Sequence, residues 1–208
     1  MPEPDLKGIP AVVAEVNGEK IEKKEFVSAY EGQFQQAAMQ AQMSGQKIDQ
    51  DQMKEQTIDG MVSTELLIQE VADRGIEASQ KDMNQTLDEL AKQNQLKSGD
   101  EFMAALKKQG MSEKEVMAQL ATQVKVEQLI KEEAGNTKVT EAELKAAYEQ
   151  VKAQQEQMAK GGQGGGKLPP LEKVKPELEK QVKKQKESQA TQALVKELRK
   201  DAKVTINL

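Results

Sequence analysis

The amino-acid sequence predicts a mainly α-helical protein: one multi-helix module with a small antiparallel sheet formed by an N-terminal hairpin and a C-terminal strand. Three observations carry that expectation. Among 208 residues only 2% are aromatic and 31% are charged, with Met at 10 and no Trp or Cys, a balance rich in helix formers and poor in sheet formers. Four Ser/Thr-x-x-Asp/Glu sequences stand where helices would begin. Asn17-Gly18 separates two short extended runs near the start, and an alternating apolar segment closes the chain.

Residues 1–9, with Pro and charge but no periodicity, read as a flexible tail. Val12 to Val16 is a short apolar strand. It runs into Asn17-Gly18, which suits a type I′ turn because both central residues can take positive φ, and then into Glu19-Lys20-Ile21. Lys203 to Leu208 alternates as a third strand would, and a two-stranded hairpin is marginal alone, so the terminal strand is expected to pair with the first and bring both ends together.

Between the ends, Ser79-x-x-Asp82, Ser98-x-x-Glu101, Ser112-x-x-Glu115 and Thr140-x-x-Glu143 match capping boxes, and Gly75, Gly110 and Gly135 sit where helices would stop. The helices so delimited are 23–43, 50–74, 80–95, 99–109, 113–134 and 141–159. Apolar stripes support them: Ile58, Met61, Val62, Leu66 and Val71 on the second, Met83, Leu87, Leu90 and Ala91 on the third. Val116, Met117, Leu120 and Val124 mark the fifth, and Leu144, Ala147, Tyr148 and Val151 the sixth. These positions are expected core.

Residues 160–170, with Gly161, Gly162 and Gly164 to Gly166 closed by Pro169-Pro170, read as a linker, since the Walker spacing of a phosphate loop is absent. A helix of roughly 39 Å is expected over 176–201, with Pro176 in its first turn. Leu178, Val182, Ala193, Leu194 and Leu198 anchor its two ends and Lys183 to Gln189 leave its middle wet, the pattern of a helix bridging two contact regions.

Charge narrows function. With no His or Cys there is no Ser-His-Asp triad, thiol nucleophile, Cys/His zinc site or histidine shuttle, so no enzyme, catalytic residue, metal or cofactor is expected. A net charge of -5 argues against nucleic acid. Residues 1–166 sum to -10 and 167–208 to +5. The basic segment is either a solvated helix or one that folds back on an acidic body. No stretch approaches a membrane span, and no signal pattern opens the chain.

The order of elements is familiar. Val12 to Ile21 followed by Glu25-Phe26, then Arg74 to Ser79, Phe102 to Leu106, Gly110-Met111-Ser112, Val139 to Leu144 with Tyr148, and finally Val174-Lys175 and Leu198 to Asn207, resembles the SurA and PrsA type of extracytoplasmic chaperone. The likeness covers about 12–158 and 171–207. In that family a parvulin prolyl isomerase domain of roughly a hundred residues precedes the closing helix, whereas here only about Gln150 to Pro170 occupies its place, too little to fold such a domain. The resemblance therefore implies a chaperone frame without the isomerase: residues 10–159 as the N-terminal module, 160–170 in place of the parvulin domain, and 171–208 completing the module.

What the resemblance implies for function is an ATP-independent holdase for unfolded secreted or envelope proteins, in the periplasm or on the cell surface as a lipoprotein. A scaffold with a fixed partner is the alternative, and an isomerase a remote one. Flexible Met side chains suit such a surface because they repack against many sequences. Phe34, in Gln35-Gln36-Ala37-Ala38-Met39, together with Met39, Met43, Met53, Met103 and Met111, are the candidate client-binding residues, with Met158 a further adaptable position. The hinge at 160–170 also makes a homodimer by swapping of the closing helix an expectation.

Overall fold

A computed structural model describes residues 3–45, 47–108, 110–135, 138–160 and 169–208, with side chains except at 158–160. The Gly-rich segment expected as a linker and the side chain of Met158 lie outside the described residues. The elements run β1 (Val12–Val16), β2 (Glu19–Glu22), α1 (Lys23–Ser44), α2 (Gln50–Asp73), α3 (Gln80–Gln93), α4 (Gly99–Lys108), α5 (Glu113–Ala134), α6 (Glu141–Lys160), α7 (Leu171–Asp201) and β3 (Val204–Ile206). They form two compact units, 1–126 with 195–208, and 127–194.

The first unit is organised around the sheet. Its strand order is β2-β1-β3, antiparallel throughout, with Val16 opposite Glu19 on one side and Val204 on the other. The hairpin closes as expected, Asn17 and Gly18 taking φ of 53° and 95°. The first and last strands do pair, and Asn17 ties them further: its amide donates to the Lys203 carbonyl at 2.9 Å and its Oδ1 accepts from the Lys203 amide at 2.8 Å.

Against this sheet lie α1 and α2. Phe26, Tyr30 and Phe34 recur every fourth residue, so they fall on one helical face, and their rings follow one another at 5.9 and 6.1 Å between centroids. Together with Val13, Ala14, Val16, Ile21, Ile58, Val62 and Leu66 they make the core. The leading residues join it. Ile9 is buried and Leu6 packs on the same cluster, which corrects the reading of 1–9 as a flexible tail; these two apolar side chains just ahead of the strand gain more from burial than a free lead would keep in entropy.

Further along, α3 and α4 form a helical hairpin. Where they meet, a Cβ on Gly99 would stand 2.8 Å from Leu87 Cγ, so any larger residue there would have to push Leu87 aside. Val116, Leu120 and Val124 of α5 are buried. Two of the four expected capping boxes close reciprocally: Ser112 and Glu115 exchange bonds, amide to carboxylate at 2.9 Å and amide to hydroxyl at 3.2 Å, and Thr140 with Glu143 does the same at 2.7 and 3.2 Å, while Ser79 and Ser98 accept from the Asp82 and Glu101 amides at 3.1 and 3.4 Å. The starts of α1 and α2 fall at the expected 23 and 50, but their caps, Glu22 with Glu25 and Asp49, do not follow the hydroxyl-led pattern of the other four.

In the second unit Leu129, Leu144, Leu178, Val182 and Leu194 are buried. Lys186 Nζ pairs with Glu143 Oε1 at 2.7 Å and donates to the Lys138 carbonyl at 3.2 Å. The α7 helix begins at Leu171, five residues before the expected start, so Pro176 lies inside it. The Lys173 amide bonding to the Pro170 carbonyl at 2.9 Å shows why: the Pro169-Pro170 turn already starts the coil, and Pro176 then forfeits only one early bond. Ala193 is exposed rather than an anchor, while Lys183 to Gln185 and Ser188-Gln189 are solvated as expected.

Candidate functional site

The last turns of α1 are unlike the rest of the surface. From Gly32 to Gly45 no residue is charged, in a chain that is 31% charged. The helix persists to Ser44 because Gln, Ala and Met are good helix formers, and Gly45, at φ 71°, ends it with its amide on the Ala41 carbonyl at 2.8 Å. Met39 and Met43, one turn apart, are 58% and 91% exposed. They are the most exposed of the large apolar side chains, which is informative in a chain that buries most of the others.

Beside them opens a cavity of about 660 Å³ lined by Phe34, Ala38 and Met39, with Gln35, Glu31, Glu3 and Pro4 around them. Phe34 is its floor, 3% exposed and part of the core, and Met39 is its lip. The wall made by the leading residues is held in place by Gln50. Its Oε1 accepts from Tyr30 Oη at 2.8 Å and from the Asp5 amide at 2.7 Å, and its Nε2 donates to the Glu3 carbonyl at 3.2 Å. Lys54, 9% exposed, pairs with Asp5 at 3.2 Å. Bonding from the Lys7 amide first, and then from Lys54, lowers the Asp5 carboxyl below its ordinary pKa, whereas burial, aided by Asp5 and Asp51, raises that of Tyr30. Around this latch Asp5 stays ionised and Tyr30 stays a neutral donor at ordinary pH.

Of the candidate residues, the structure brings Phe34 and Met39 to one cavity and sets Met43 on the next turn. Met53 packs half-buried against the core beneath. Met103, on α4, and Met111, just past Gly110, are half-buried and are not among the cavity's lining residues. Sequence reasoning missed Glu3, Pro4 and Gln50, since a fold-back of the lead leaves no local periodicity; the i, i+4 spacing of Phe26, Tyr30 and Phe34 was the available sign that Phe34 belongs to the core. A second cavity, about 650 Å³ between β2, α1 and α2, is ringed by Glu19, Lys20, Glu25 and Glu65. Among the described residues no group of three or more Asp or Glu stands close enough to hold a metal ion, and no helix is long and apolar enough to cross a membrane.

The arrangement is an apolar floor, a flexible thioether side chain at the lip and a polar, acidic rim. Comparisons agree with the architecture. The profile of the SurA-like N-terminal domain matches residues 5–130. A solved chain from Campylobacter jejuni, from work describing the virulence factor PEB4 and the periplasmic protein Cj1289 as structurally related SurA-like chaperones, superposes with a TM-score of 0.54 at 13% identity, over 95% of this chain and 99% of that one. Comparison with curated protein sequences finds no match.

Proposed function

We propose, from the premise that the chain belongs to the SurA-like N-terminal domain family, that it is an extracytoplasmic chaperone that holds unfolded or partly folded protein without ATP. The observation that carries this reading is the uncharged end of α1, where Met39 and Met43 stand exposed beside a cavity floored by Phe34. Burying a Met side chain against a client is worth about 1.5–3 kcal/mol, enough for two or three such contacts to retain a segment briefly and too little to trap it. The acidic residues Glu3 and Glu31 keep the surroundings wetted, so the loaded protein stays soluble. Envelope or secreted proteins as clients, and a periplasmic or surface-anchored site of action, follow from the family resemblance. Only residues 161–170 separate α6 from α7, and we read them as standing in place of the prolyl isomerase.

The test is light scattering of a disulfide-reduced client mixed with the purified protein. Aggregation should fall at a few-fold molar excess of the wild type, and the double variant Met39→Glu, Met43→Glu should lose most of that protection while keeping its helical circular dichroism. No suppression by the wild type, or full protection by the variant, would remove the proposal.

A further inference from the structure

The sheet has two edges, and they are built differently. β2 presents Glu19, Lys20 and Glu22, exposed and charged, the device by which proteins stop an edge from pairing. β3 carries no charge, and its Ile206 and the following Leu208 stay 45% and 44% exposed. Its ladder to β1 runs through alternate residues. The Asn17 amide donates to the Lys203 carbonyl and the Asn207 amide to the Val13 carbonyl, both at 2.9 Å, and Thr205 stands opposite Glu15 between them. The amides and carbonyls of Val204 and Ile206 therefore point away from β1, toward the open edge.

Below that edge is space. Ile206 lies opposite buried Ala14, so its side chain is on the core-facing side of the sheet. There a cavity of about 460 Å³ separates β3 from the start of α2, walled by Ile206, Leu208 and buried Ile58. Its rim is acidic. Lys54 is taken by Asp5 and Asp59 by Arg199, which leaves Asp51 and Glu55 without an ion pair among the described residues.

We propose that this edge receives an extended stretch of polypeptide as a fourth, antiparallel strand, with an apolar side chain in the cavity over Ile58 and basic side chains two residues to either side. The inference rests on the chaperone reading and adds to it the conformation and residue pattern of a bound segment. Only an extended backbone can satisfy outward amides and carbonyls that recur at every second residue, and only one face of such a strand looks into the cavity. The carboxylates of Asp51 and Glu55 select cations on that face, and the charged β2 edge explains why pairing occurs at β3 alone.

The experiment uses the intact protein and a fluorescein-labelled peptide, Thr-Lys-Thr-Ile-Thr-Lys-Thr, followed by anisotropy. Two N-methylated versions separate strand addition from mere adsorption: one methylated at the Ile and Lys amides, the other at the inner Thr amides. We expect the first to weaken binding by at least about tenfold, the loss of two backbone hydrogen bonds, and the second to change it less than about twofold. Ile206→Pro should match the first loss, because it deletes an outward amide that the ladder to β1 does not use. Glu55→Lys should weaken the peptide and not its Lys→Glu counterpart. Equal binding of the two methylated peptides, or none by the parent peptide, would overturn the inference. So would a dimer that Ile206→Pro makes monomeric and the peptide leaves intact, since the edge would then belong to a second copy. Client aggregation suppressed by the wild type alongside equal peptide binding would remove the edge and spare the chaperone reading; no suppression and no binding would remove both.

Discussion

Gln95 holds a conformation its side chain disfavours. At φ 61° it occupies the left-handed position after α3, while the Leu96 amide reaches back to the Ala91 carbonyl at 2.8 Å and its own amide to Lys92 at 3.1 Å, the double closure that glycine usually provides. Gln95→Gly should therefore stabilise the protein by about 0.5–1 kcal/mol, the relief of left-handed strain less the added freedom of the unfolded chain, read from urea unfolding. Glu143 shows strain's opposite. The hydrogen bond from Lys186, then the Thr140 amide and hydroxyl, lower its pKa from 4.5 to about 2. Because the folded value is the depressed one, the stabilisation is complete above about pH 4.5 and fades as pH falls toward 2. A carboxyl titration by NMR should show this, and Lys186→Met should move the midpoint back up toward 4.5.

At the scale of elements, helix starts are carried by a few local bonds. Ser112→Ala removes the hydroxyl that accepts from the Glu115 amide at 3.2 Å, and should cost about 1 kcal/mol in thermal or urea unfolding, without changing α5 elsewhere. That locality is why these boundaries were legible in the sequence: hydroxyl, two residues, carboxylate, with glycine at the far end. Pro176 shows the limit, since its preference for a first turn yielded to a stronger turn at Pro169-Pro170 that begins the helix sooner. The candidate site was half legible. Met39 and Met43 could be named from composition, but that they are exposed while Met53 packs against the core depends on which face α2 covers. The cavity wall from Glu3 to Asp5 depends on Gln50, forty-five residues beyond Asp5, and no window of sequence contains both.

For the whole molecule the decisive join is between strands almost two hundred positions apart. Thr205 faces Glu15 in the hydrogen-bonded register of that join, so Thr205→Pro should lower the melting temperature and expose β1, whereas Ile206→Pro should leave both nearly unchanged. Arg199, whose Nη2 bonds Asp59 Oδ1 at 2.9 Å, fastens the end of α7 to α2, and Arg199→Ala should add to the Thr205→Pro loss rather than duplicate it.

The central strand has one neighbour that follows it at once and another that lies almost two hundred residues further along. Until residues 204–206 have been added, Val12 to Val16 can be flanked on one side only. Closing so wide a loop is entropically modest but slow to search for, so the sheet is completed late in folding. A product cut short before residue 204 would leave the middle of its sheet as an open edge.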